Sequence, residues 1–397
     1  MDPVPGGIET AADAALACLR ARHDPAALAA LRSALESGRP TWDALWQELV
    51  DARLEGLAYP VLGAAPWVPP PLRSALRQAH ARHAAANSIL LHALASALRA
   101  LTAAGIPTLA LKGAALVEAV YASPGERPMS DLDLLVPADR AAAAAARLRE
   151  QGYDWAAPTD LAAALDFENE LMLRRSGPID VVLELHWHLV NAPHYQRRMP
   201  MDWFWATSRP LRVGGIETRM LGPEAQVLHL CAHLVLHHGQ EERLEPRLLA
   251  DIAELCWRAG QADAAMAIDW DLVLRLARDW DLVTALRRAL SQAAERLGAP
   301  VPPALLAALR ALRPSAGERR AVAALTARDP SVIQRFLADL AGLSGLRSRL
   351  GFVGRNLFPS PDYMRQRYGS AGAGLPGAYL RRWWLGLRGA LRLARRG

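Results

Sequence analysis

Strand patterning in this chain is confined to a short window, and that confinement limits its fold more than any other feature. Four stretches read as strands: Ile106–Leu111, Asp131–Val136, Asn169–Arg174 and Ile179–Leu189. On both sides apolar residues recur at three- and four-residue spacing, broken at Pro40 and Pro66–Pro71, then near Gly239, Gly260, Gly298–Pro303 and Pro314. Ala, Leu and Arg dominate, whereas the β-branched and aromatic residues that favour strands are scarce. The expectation is an α+β protein, a small mixed sheet flanked by N- and C-terminal helical regions. A chain of 397 residues suffices for two or three domains. The boundaries read as a helical region over 1–100, a sheet-bearing core over 101–220, a second helical region over 221–340, and a loop-rich segment with a basic tail helix over 341–397.

Composition excludes several function classes. Cys18, Cys231 and Cys256 lie far apart and form no CxxC pair, which argues against a disulfide framework or a cysteine zinc site and fits a reducing compartment. The start, MDPVPGGIET, lacks the basic and apolar runs of a signal peptide, and each apolar stretch reads as interrupted by a charge before it could span a bilayer. These points lead to the expectation of a cytoplasmic protein. The net charge of +6 comes mainly from arginines in the last fifty residues, and no basic-aromatic stripe marks the central region, so a nucleic acid partner is disfavoured.

The chemistry concentrates between residues 106 and 189. A helix over Leu72–Ala104 stops at Gly105, and Ile106–Leu111 then reads as a strand running through the tight turn Lys112-Gly113 into a helix. Lys112 is the single lysine of the chain, where a compact ammonium serves and a planar guanidinium would not. Asp131 and Asp133 stand two apart on the next strand, on one face and about 7 Å apart at the backbone. At about 6 Å two carboxylates repel by roughly 3 kcal/mol in an effective dielectric near 20, and a divalent cation reverses the sign. Magnesium prefers such oxygen ligands, and manganese is its natural substitute. In the last strand Ile179, Val181, Leu183, Leu185, Trp187 and Leu189 form an apolar face. Asp180, Val182, Glu184, His186 and His188 form the other, with Glu184 as third carboxylate, Asp180 as its substitute, and His186 as either a cleft residue or packing support. Gly113 lets backbone N–H groups approach a phosphate at a helix N-terminus, while Lys112 and Arg127 can grip its oxygens.

The run LALKGAALVEAVYASPGERPMSDLDLLV (Leu109–Val136) resembles the start of a bacterial nucleotidyltransferase-like family with a KG motif, within the DNA polymerase β-like superfamily. LELHWHLV (Leu183–Val190), LGPEAQVLHLCAHLVLH (Leu221–His237) and LLADIAEL (Leu248–Leu255) follow in the family's order, so the likeness covers roughly residues 75 to 260. It implies a metal-binding pair at Asp131 and Asp133 and a third acid at Glu184. It also implies two magnesium ions, an NTP substrate, and transfer to a hydroxyl or phosphate of a small-molecule or peptide acceptor by an accessory biosynthetic enzyme. Where the superfamily has Gly-Ser, this chain has Gly113-Ala114, and its Gly113-to-Asp131 interval is longer. The phosphate contact therefore falls to Lys112 or Arg127. Rival readings are a non-catalytic nucleotide- or partner-binding adaptor, and kinase-like phosphoryl transfer.

Two further motifs stay open at this level. His229, His233 and His237 share one helix face, either to hold a metal or to pack between helix and catalytic region. The tail Ala378–Gly397 carries Trp383, Trp384 and several leucines beside Arg381, Arg382, Arg388, Arg392, Arg395 and Arg396. Such a helix docks its apolar face on the body of the protein, or contacts a membrane, a peptide or a nucleic acid.

Overall fold

A computed structural model describes residues 7–177, 179–260, 266–327, 332–368 and 374–394. Pro178 of the expected hairpin turn, Arg395 and Arg396 lie outside the described residues, as do the side chains of Leu391, Arg392 and Leu393. Five helices come first: α1 (Ala11–Arg20), α2 (Pro25–Glu36), α3 (Trp42–Asp51), α4 (Glu55–Leu62) and the long α5 (Pro70–Ala103). The strands are β1 (Leu109–Ala110), β2 (Leu132–Leu135), β3 (Asp154–Trp155), β4 (Glu170–Arg175), β5 (Val181–His186), β6 (Arg209–Val213) and β7 (Ile216–Met220). Among them run α6 (Lys112–Ala119), α7 (Ala141–Glu150), α8 (Leu161–Phe167), α9 (Pro193–Gln196) and α10 (Met201–Ala206). The remainder is helical: α11 (Pro223–His238), α12 (Pro246–Ala259), α13 (Trp270–Asp279), α14 (Val283–Leu297), α15 (Pro303–Ala311), α16 (Ala316–Leu325), α17 (Val332–Gly342), α18 (Leu346–Leu357), α19 (Pro361–Tyr368) and α20 (Gly374–Ala394).

The seven strands form one mixed sheet in the order β3-β4-β5-β2-β1-β7-β6. β2 runs parallel to β5 and β1 parallel to β7, and the other pairs are antiparallel. The β6–β7 hairpin, absent from the sequence reading, turns on Gly214 (φ 54°) and Gly215 (φ 81°). Two successive left-handed residues make the tight turn whose twist matches a hairpin, which a Gly-Gly pair provides without steric cost. Ile179, expected on the core face of β5, precedes the strand and is 47% exposed.

Leu132, Leu134, Leu183, Leu185, Leu171 and Leu173 project from one sheet face into a core with α5 and α7. The opposite face meets a larger core that joins α1–α4 to α11–α15, so the helices before the sheet and those after it share one interior. α5 corrects one sequence expectation: an 18-residue window of this helix is long and apolar enough to cross a bilayer. Half of that window is buried within the protein, where Leu90, Leu94, Leu98 and Leu101 pack on the sheet. Burial of each such side chain contributes about 1.5–3 kcal/mol.

Candidate active site

The parallel pairing of β2 with β5 sets Asp133 directly opposite Glu184, and the antiparallel pairing of β4 with β5 sets Glu170 opposite His186. These residues alternate with the core leucines, so they emerge on the other sheet face. Ligand atoms of Asp133, Glu184 and His186 all lie within 4.8 Å of one another, the one such group of three His, Cys, Asp or Glu found among the described residues. Asp133 is 2% exposed and His186 3%, whereas the side chains of Glu184 and Glu170 reach 15% and 32%, which opens the cluster on their side.

Lys112 closes the cluster. Its Nζ lies 2.6 Å from Asp133 Oδ1 and 3.3 Å from Glu184 Oε2. The lysine opens α6 with φ +44°, a left-handed conformation that costs a non-glycine residue about 1–3 kcal/mol and recurs where function holds a side chain in place. His186 sits on the same carboxylates, Nε2 at 3.0 Å from Asp133 Oδ1 and 3.4 Å from Glu184 Oε2, with Nδ1 3.0 Å from Glu170 Oε2.

The electrostatics follow from this packing. Burial opposes the imidazolium, yet contacts with Asp133, Glu170 and Glu184 lift His186 to about 10. Burial likewise opposes the Lys112 ammonium, which Asp133 and Glu184 hold protonated. Asp133, despite its burial, is held well below the usual carboxylate range by Lys112 and His186. Asp131 is placed immediately ahead of β2, within electrostatic reach of the group; burial, then the charges of Asp133 and Glu184, raise its pKa. The bare cluster is thus a set of carboxylates compensated by two side-chain cations. Since it already accepts an ammonium between Asp133 and Glu184, its carboxylate oxygens fit a divalent cation such as magnesium or manganese.

Asp180 lies outside the cluster, just before β5, in an ion pair with Arg174 of β4. Arg127, expected at the nucleotide, is engaged within the protein: its Nε and Nη2 each lie 2.8 Å from an Asp251 oxygen, and Tyr121 Oη donates to the same carboxylate at 2.7 Å. A Cβ on Gly113 would stand 2.3 Å from Arg127 Nη1, so the space left by the missing side chain holds this guanidinium. Asn87 of α5 fixes the loop between them, donating to the carbonyls of Pro124 (2.6 Å) and Arg127 (2.7 Å) and accepting from Met129 N (3.1 Å). Glu170, Asp251 and Tyr121 were not singled out in the sequence. The β4–β5 register would have revealed Glu170, because it sets that residue across from His186 on the polar face.

His229, His233 and His237 form a column on α11, the first two rings tilted with centroids 6.2 Å apart and the last two stacked at 5.4 Å. None joins a convergent ligand group among the described residues. Burial, then the Lys112 charge, depresses all three, His237 to about 4, so they form a neutral wall beside the cluster. His188 is buried, its Nε2 3.3 Å from the Met199 carbonyl.

A family model described as an uncharacterised nucleotidyltransferase matches residues 39–298. No curated protein matches the chain. Among solved structures, an antigenic nucleotidyltransferase-like protein from Paracoccidioides brasiliensis is similar over 57% of this chain and 94% of its own, at 17% identity and a TM-score of 0.34.

Proposed function

The chain belongs to this uncharacterised nucleotidyltransferase family, and from that premise we propose that it transfers a nucleotidyl group from an NTP to a hydroxyl or phosphate of a small-molecule or peptide acceptor. The supporting observation is the convergence of Asp133 and Glu184 from adjacent parallel strands on the ammonium of Lys112, at the N-terminus of α6. In the transfer the acceptor oxygen bonds to the α-phosphorus, the bond to the β-phosphate oxygen breaks, and pyrophosphate departs with that electron pair. The acceptor proton leaves to water on the open side, at Glu184 and Glu170. Asp131, Asp133 and Glu184 would hold two divalent cations, which when bound lower the acceptor pKa and neutralise phosphate charge. Lys112, exchanged from Asp133 onto the triphosphate, contributes a mobile positive charge, and the first N–H groups of α6 face the same anion. His186 holds Asp133 and Glu184 in register by its Nε2 contacts, anchored from behind by Glu170.

A second reading draws on the same Lys112–Asp133 ion pair: the cluster holds a nucleotide without turning it over. Calorimetric titration of each NTP with magnesium, on the wild type and on Asp131→Asn/Asp133→Asn, tests both. Magnesium-dependent binding lost in the double variant supports the site. Product analysis with candidate acceptors then separates pyrophosphate release, nucleotidyl transfer, from NDP release, which would replace it by phosphoryl transfer. Binding without any product leaves the adaptor reading, and unchanged binding in the double variant would sink the site itself.

A further inference from the structure

We propose that the C-terminal helix α20, with the end of α18, seats the protein on an anionic lipid surface. The first observation is segregation of charge. Residues 332–397 contain twelve arginines against only Asp339 and Asp362, a net +10, so within a total of +6 the rest of the chain is net −4. α20 itself carries no acidic residue.

The second is how α20 sits. One edge is fastened to the body: Arg382 donates to the Asn356 carbonyl at 2.9 Å, Trp383 Nε1 to the Leu357 carbonyl at 2.8 Å, and Tyr379 Oη to the Pro359 carbonyl. Ala378 is buried on the same edge. Docking of the whole apolar face, one of the sequence expectations, does not occur. Leu380, Trp384 and Leu387, at helical spacings of four and three, are 63%, 53% and 59% exposed. Arg381 and Arg388 flank this stripe, the Arg388 guanidinium 4.2 Å from the Trp384 ring centroid. The stripe continues across Trp383 onto Phe358, which meets it edge-on at 5.3 Å and is 61% exposed.

An apolar stripe with tryptophan at its margin and arginine alone beside it is the pattern of a helix lying in a membrane interface. Leucine enters the acyl boundary there, the indoles sit at headgroup depth, and the guanidiniums meet phosphate. Charge complementarity selects anionic lipid, because each arginine near such a surface strengthens binding and none of the helix's own residues opposes it. The anchoring hydrogen bonds keep the stripe turned outward before any surface is met. This proposal is independent of the nucleotidyl-transfer reading.

The test is cosedimentation of the full-length protein with vesicles of phosphatidylcholine alone and of phosphatidylcholine with 30% phosphatidylglycerol, at two salt concentrations. The expected result is at least tenfold stronger partition onto the anionic vesicles, weakened by salt. Arg381→Gln/Arg388→Gln should lower it by about 30-fold, the effect of two basic residues at ~1 kcal/mol each. Trp384→Ser/Leu387→Ser should lower it at least tenfold, with circular dichroism and melting temperature unchanged because both side chains are exposed. No partition, equal partition onto neutral vesicles, or variants that bind like the wild type would each overturn the proposal. So would a concentration-dependent dimer abolished by Trp384→Ser/Leu387→Ser, which would assign the stripe to a second copy of the chain.

Discussion

Two buried ionic clusters lie back to back in this protein and meet at Gly113, yet they are built differently. Behind the glycine, Arg127 is gripped in a bidentate pair by Asp251, which Tyr121 also touches. Nearby Arg22 bridges Glu254 and Glu126, each at 2.6 Å, and His23 closes on Glu254 while stacking on Trp257. In front, Asp133, Glu184 and Glu170 are balanced by a lysine and a histidine, and the cluster opens toward solvent at Glu184 and Glu170. Planar guanidiniums in fork geometry give the first arrangement one rigid solution. A flexible ammonium shared between carboxylates gives the second one that can be exchanged. Buried charge thus forms a closed framework in one place and, in the other, an ion-paired cluster open on one side, on which the proposed exchange of Lys112 onto a triphosphate rests.

The comparison predicts opposite phenotypes on its two sides. The largest effect is expected at the front: Asp133→Asn should cut nucleotidyl transfer by roughly 10³-fold, several kcal/mol of transition-state stabilisation, with the melting profile still cooperative. If transfer survives, the front cluster is not catalytic. At the back, Arg127→Ala leaves Asp251 buried without its partner and should cost about 3–5 kcal/mol in chemical denaturation. A loss below 1 kcal/mol would erase the distinction between the clusters. Lys112→Arg should lower activity about 10–100-fold with little change in stability, since a fork cannot exchange between carboxylate and phosphate as a point charge does. Steady-state rates at saturating NTP measure it.

The pH dependence of the metal-free protein sharpens the contrast. Folded His186 titrates near 10 against an ordinary 6.5, so its contribution is complete below about pH 6.5 and is lost as pH rises through 10. Asp133 has the opposite sign: held below 3.8, it contributes above that value, and its contribution is lost on acidification. Melting temperatures from pH 5 to 10 should fall, and fall less in His186→Gln. The smallest effect is expected at the junction: Gly113→Ala drives a Cβ against Arg127 Nη1 and should cost about 1–3 kcal/mol by denaturant titration.

Much of this was legible in the sequence. The long α5, the strand carrying Asp133 and the strand carrying Glu184 announce themselves through periodicity and through Gly105 as a stop. Glu184 and His186 of the front cluster were legible because alternation assigns them to one polar face, whereas Glu170 across from His186 was not. The back cluster was not, because Arg127 and Asp251 are 124 residues apart and no local pattern pairs them. That left Arg127 to be read as a free cation near the turn. The β6–β7 hairpin was obscured by its composition: three arginines, a proline and a glutamate mask the strands, and only the Gly-Gly pair signals the turn.

The single interior shared by the first helices and the late ones bears on how the chain comes to be folded. α1 packs against α14, and Arg22 reaches Glu254, 232 residues further on. The early helices α1–α4 pack on one another and on α5, but the face of α1 that meets α14 is covered only by residues far along the chain. The same interior brings Asp251 of α12 to Arg127, whose guanidinium backs the Lys112-Gly113 turn. The groups of the front cluster are all present by His186, whereas the ion pair behind their turn waits for α12, so the two clusters close over very different chain separations.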